Sequence, residues 1–139
     1  METVRFTVKG APQGKARPRV VDGHAFTPHK TVSYEALVVL SYRHAHPGRV
    51  RWEKGVPLRM AITAYYPIPA SASHKAQTLM ASGRMFPTKK PDTDNIGKII
   101  ADACNGVAYY DDAQIVDMAV RKEYSDDPRV VVEITEIET

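Results

Sequence analysis

Pro91-Asp92-Thr93-Asp94-Asn95-Ile96-Gly97-Lys98-Ile99-Ile100-Ala101-Asp102-Ala103-Cys104-Asn105-Gly106 is the stretch from which the rest of the chain is best read. Ile96, Ile99, Ile100, Ala103 and Cys104 recur at the spacing of one helical face, so the pattern predicts a buried-face helix over residues 94–105, stopped by Asn105-Gly106. Pro91 restrains the approach, and Asp92, Thr93 or Asp94 each suits the cap. Downstream, residues 114–124 alternate with Val116, Met118 and Val120 inward, Ser125 to Pro128 is a turn, and residues 129–137 alternate through Val130, Val132 and Ile134. These two runs predict an antiparallel hairpin. Upstream, residues 72–82 form a short helix closed by Gly83, and residues 56–66 alternate as a strand. Before that, Thr27 as cap and Pro28 as first residue open a helix to about His46 with Ala36, Leu37 and Leu40 as its core stripe. Residues 3–9 form a first strand with Val4, Phe6 and Val8 on one face, and residues 10–26 form a long basic loop. The order β-α-β-(α)-α-β-β gives an α+β fold, a mixed sheet with helices packed on one face, in a single domain over residues 1–139.

Composition narrows the class. The chain has 139 residues, 43% of them hydrophobic, which supports a core without disulfide or zinc staples. A single cysteine, Cys104, excludes an internal disulfide or a zinc knuckle, which points to a reducing compartment, the cytoplasm. The longest apolar run, Ala36 to Leu40, is far below the ~20 residues of a membrane span. The alternating N-terminus is unlike a signal peptide. A net charge of +3 conceals a split: residues 1–90 carry +11 and residues 91–139 carry −8. A basic surface for a polyanion beside an acidic cluster is the expectation from that split.

The acidic half holds the chemistry. Asp92 and Asp94, one residue apart at a helix start, offer hard oxygens suited to magnesium or manganese, and Asp94 and Lys98 share a helical face. Asp111-Asp112 adds two adjacent carboxylates, of which one can turn toward the first pair. Capping and a surface ion pair are the bland readings of the same residues. A calcium loop fails, because Ile96 and Ala103 would fall at two of its ligand positions. Gly10 to Lys15 lacks the spacing of a phosphate loop. His24, His29, His44, His46 and His74 show no metal spacing, Cys104 falls on the apolar stripe, and Tyr109 and Tyr110 suit packing or contact with a polyanion.

Asp92-Thr93-Asp94-Asn95, then Lys98, Asp102-Ala103 and Asp111-Asp112-Ala113-Gln114-Ile115-Val116, together resemble the signature of the RusA family of Holliday junction resolvases, the crossover junction endodeoxyribonucleases. The close match spans about residues 90–124. It departs from the common form at Thr93, at Gly97 and in the long stretch from Pro67 to Lys90. The resemblance implies catalytic and metal-ligating roles for Asp92, Asp94 and Asp112, an essential Lys98, Mg2+ or Mn2+ as cofactor, and a homodimer. The expected function is paired symmetric cleavage of four-way junctions. Lys15, Arg17, Arg19, Lys75, Arg84, Lys89 and Lys90 are the expected phosphate contacts. A nuclease of the same chemistry acting on flaps or other branches, and a noncatalytic branched-DNA-binding module, are the competing expectations.

Overall fold

The computed structural model describes residues 2–16, 19–26 and 28–138. Strand β1 (Thr3–Lys9) lies at one edge of a four-stranded sheet and turns Val4, Phe6 and Val8 into the core, as its alternation predicts. Within the basic loop a small hairpin forms, β2 (Arg19–Val21) with β3 (His24–Phe26). Asp22 and Gly23 both take positive φ, 51° and 78°, the conformation that a two-residue hairpin turn requires. The sequence reading took this segment as loop and missed the signal.

Helix α1 (His29–Ala45) packs over β1. It buries Thr31, Tyr34, Val38 and Tyr42, whereas Leu37 and Leu40 are exposed and Ala36 also faces outward. The expected stripe was therefore wrong. Apolar residues lie on every side of this helix, and the two large tyrosines bury more surface than the leucines do; Thr27, the expected cap, falls outside the described residues. Strand β4 (Leu58–Pro67) buries Leu58, Met60, Ile62, Ala64 and Tyr66 along one face. Helix α2 (His74–Ala81) starts at Ser73, whose hydroxyl accepts from the Ala76 N–H. Helix α3 (Thr93–Ala103) buries Ile96, Ile99, Ile100 and Ala103, with Cys104 just beyond it at 0% exposure. The core stripe of α3 is the one its periodicity predicts.

A 3-10 turn (Asp112–Gln114) leads into β5 (Ile115–Ser125), and β6 (Arg129–Glu136) follows. The sheet order is β1-β6-β4-β5, with β5 parallel to β4 and β6 antiparallel to both β4 and β1. The fold is α+β with a mixed sheet, as expected. The predicted β5–β6 hairpin is not formed, because β4 lies between the two strands. Placing β4, the most apolar strand, between neighbours on both sides covers its buried row more completely than an edge position would. That arrangement leaves β5 at the sheet edge, where Val116 and Met118 are 66% and 41% exposed, although Met118 and Val120 face inward against Gly97 of α3. Val116 sits where the β4–β5 register shifts.

Candidate nuclease site

Asp92 occupies the cap position of α3, and its carbonyl accepts from Ile96 N–H at 3.0 Å, but its carboxylate makes no capping hydrogen bond. Capping therefore does not account for this side chain. Asp92, Thr93 and Asp94 are all exposed at the helix start. Tyr66, from the end of β4, donates to Pro91 O at 2.6 Å. Burial, then the Asp92 charge and then Tyr124, push the Tyr66 hydroxyl up to about 12. Lys122, on β5, donates to Lys89 O at 2.6 Å and lies 5.1 Å from the Tyr66 ring centroid, which ties the basic approach segment to the sheet.

The loop after β1 touches the same end of α3. A Cβ at Gly14 would stand 2.8 Å from Pro91 Cβ and 3.1 Å from Asn95 Cβ, so only glycine permits this approach. Lys15 N–H donates to Asn95 O at 3.1 Å. The Lys15 side chain then reaches along α3: Nζ is 2.9 Å from Glu35 Oε2 on α1 and 3.3 Å from Asp102 Oδ2. Lys98 Nζ approaches the same Asp102 oxygen at 3.8 Å. Burial alone would lower the Lys15 ammonium, yet Glu35 and Asp102 outweigh it and hold its pKa above the ordinary value.

Asp112 lies at the other end of α3. Its N–H donates to Asn105 Oδ1 at 2.7 Å, and its carboxyl lies beside those of Asp102 and Asp111. Burial, then these contacts and the two like charges, raise its pKa. Asp111 serves as cap of the 3-10 turn, accepting from Ala113 N–H at 3.3 Å. Gln114 Oε1 accepts from Tyr110 and Asp111 N–H, while its Nε2 donates to Glu53 O and Val56 O, which fixes this turn. Buried Tyr109 donates to Ala101 O at 2.7 Å, whereas Tyr110 is 40% exposed under the Arg51 guanidinium.

The structure does not bring Asp92, Asp94 and Asp112 together in one chain. At 1.5 Å per residue, Asp94 and Asp102 are about 12 Å apart along the axis, and Asp112 is at Asp102. Among the described residues no three Asp, Glu, His or Cys side chains converge to hold a metal ion. The carboxylate oxygens are the right donors for Mg2+ or Mn2+, but a single chain does not assemble them around one ion.

Lys15, expected to contact phosphate, is held in ion pairs, its side chain 20% exposed. Lys75, Arg84, Lys89 and Lys90 are exposed; Arg17 and the side chain of Arg19 fall outside the described residues. The sequence reading did not single out Glu35, Asn105, Tyr66 or Lys122. Asp102 was quoted in the motif but not expected as a site residue, although Asp94, Lys98 and Asp102 form one row at four-residue spacing.

The family model for endodeoxyribonuclease RusA matches residues 9–135. The uncharacterized protein YqaN of Bacillus subtilis (strain 168) is 36% identical over 143 aligned positions, covering 99% of each chain. The crossover junction endodeoxyribonuclease rusA of Lactococcus phage r1t is 32% identical over 87, covering 62% of this chain and 60% of the phage protein. No helix among the described residues is long and apolar enough to cross a membrane.

Proposed function

This chain belongs to the RusA endodeoxyribonuclease family, and from that premise we propose that it is a divalent-metal-dependent, structure-specific endodeoxyribonuclease resolving Holliday junctions by paired symmetric cleavage. The observation that carries this reading is Asp92, whose carboxylate stands at a helix start, unused by the cap, beside Asp94 and the exposed basic segment Arg84, Lys89 and Lys90. Phosphodiester hydrolysis adds negative charge to the phosphate and needs an activated water, so it calls for concentrated positive charge at an acidic cluster. Bound Mg2+, or Mn2+ in its place, supplies that charge and lowers the pKa of water. Asp92 and Asp94, at the start of α3, and Asp112, beyond its far end, are the proposed carboxylates. Lys98, 61% exposed on the same row as Asp94, stabilises charge on the phosphate or orients the water. Comparing cleavage of a fixed four-way junction, a flap and a linear duplex tests the reading. Preferential cutting of the junction is expected, and preferential cutting of the flap would transfer the chemistry to another branch.

Junction binding through about six phosphate contacts gives a logarithmic salt slope near −5; a slope near zero would remove the basic segments from binding. Lys15 should stand apart from them. Because its ammonium is already shared by Glu35 and Asp102, Lys15→Gln is expected to leave that slope unchanged while nicking falls tenfold or more, roughly the weight of a lost charge-assisted contact. A slope shallower by about 0.9, at unaltered nicking, would make Lys15 a phosphate contact after all.

A further inference from the structure

Among the described phenylalanine, tyrosine and tryptophan side chains, only Phe86 and Tyr110 are exposed, at 48% and 40%. Tyr110 is already engaged, with the Arg51 guanidinium 3.8 Å and the Lys54 ammonium 5.3 Å from its ring centroid. Phe86 meets no other ring and no cation among the described residues. A single exposed apolar residue needs no explanation by itself, but the backbone that carries Phe86 sets it apart. Just past α2, the Arg84 and Met85 N–H groups both donate to Leu79 O, at 2.9 and 3.2 Å. On the other side Pro87 is buried, and Lys89 O accepts from Lys122 Nζ at 2.6 Å. The segment is thus fastened before and after residue 86, and the ring is presented to solvent by an anchored chain.

The charge around the ring says what it faces. No acidic residue occurs between Glu53 and Asp92, and Arg84, Lys89 and Lys90 are all exposed. Among the described residues no carboxylate forms an ion pair with these three cations. An uncovered ring among unpaired cations suits a nucleic acid strand, because the cations take phosphates and the ring takes the face of a base. Asp92 follows Phe86 by six residues, a reach of at most about 20 Å, or about six stacked base steps. In a continuous duplex every base face is covered by its neighbours, and a ring enters only by prising a step apart. Where strands exchange, a base pair lacks a neighbour on one side, and an unstacked base is the least costly to engage. We propose that Phe86 stacks on a base exposed at the branch point and that this contact, indifferent to base identity, selects branched DNA over linear duplex. The assignment rests on the proposed nuclease function and names the residue that directs it to branches. Arg84, Lys89 and Lys90 hold the flanking phosphates.

The test is binding by the intact protein with divalent cations chelated, so that every strand stays whole. An immobile four-way junction is compared with a linear duplex of the same arms. Phe86→Ala is expected to weaken junction binding about five- to 150-fold, the weight of one base stacked on an aromatic ring, and to leave duplex binding within about twofold. Because the ring is uncharged, the logarithmic salt slope stays the same, whereas Lys90→Gln makes it shallower by about 0.9. Phe86→Trp should restore the preference, and its indole emission should be quenched by the junction and not by the duplex. Trp52, buried at 6% exposure, supplies a constant background. Equal losses on junction and duplex, wild-type junction affinity in Phe86→Ala, or an introduced indole that the junction leaves unquenched would overturn the proposal. So would a wild type without junction preference. A loss matched by a lower melting temperature or weaker self-association would seat Phe86 in the fold or between copies, and overturns it too. A wild type that shows the preference and cuts no junction in magnesium overturns the nuclease function alone.

Discussion

Asp94→Asn is expected to lower junction nicking on the order of a hundred- to a thousandfold while junction binding holds or tightens. The asparagine keeps the shape of the side chain and removes its charge, so the change isolates electrostatics. Asp94 is exposed in the first turn of α3, where its favourable interaction with the helix dipole is worth about 0.3–1 kcal/mol. Folding therefore survives the substitution, and a thermal melt separates lost chemistry from lost structure. Binding holds because the substitution removes a negative charge from beside the DNA backbone. Asp92→Asn should behave alike, since the Asp92 carboxylate makes no capping bond whose loss would unseat the helix. Near-normal cleavage by Asp94→Asn in magnesium would mean that this carboxylate serves the fold alone.

The second large effect falls on stability. Ile100, fully buried on the core face of α3, should cost about 2–5 kcal/mol when replaced by alanine, through lost transfer energy and the cavity left behind. A domain of this size is stable by roughly 5–15 kcal/mol, so Ile100→Ala consumes a large part of the total. Because α3 carries Asp92, Asp94, Lys98 and Asp102, nicking should fall in parallel with the folded fraction across a urea titration. A midpoint close to wild type would show that α3 is not seated by this side chain.

Periodicity was informative where one face of an element carries the core alone. In α3 the isoleucines are confined to one side, and the reading matched the structure. Gly97 also followed from the sequence: a glycine inside a helix costs about 1 kcal/mol unless backbone must approach closely, and here a Cβ would come within 2.8 Å of Met118 Sδ. In α1, by contrast, valines and leucines surround the helix, and pattern alone could not rank them against Tyr34 and Tyr42. The alternation of β5 correctly marked a strand but not its neighbours. Whether Val116 and Met118 are covered depends on the order of strands in the sheet, a long-range property that a local period does not carry.

The candidate site was legible as a proposed chemistry and not as geometry. Asp92, Asp94, Lys98 and Asp112 could be named from their motif, yet the motif does not say that an eleven-residue helix separates the ends. Nor does it distinguish Lys15, tied to Glu35 and Asp102, from the exposed lysines at 89 and 90. That distinction depends on contacts between the loop, α1 and α3, which are remote in sequence.

The most direct measurement is incubation of the intact protein with a synthetic immobile four-way junction and magnesium, with cut positions mapped on all four strands. Two symmetrically placed nicks in opposing strands are the predicted result. Tight, metal-independent junction binding that leaves every strand whole, in magnesium and in manganese alike, would contradict it.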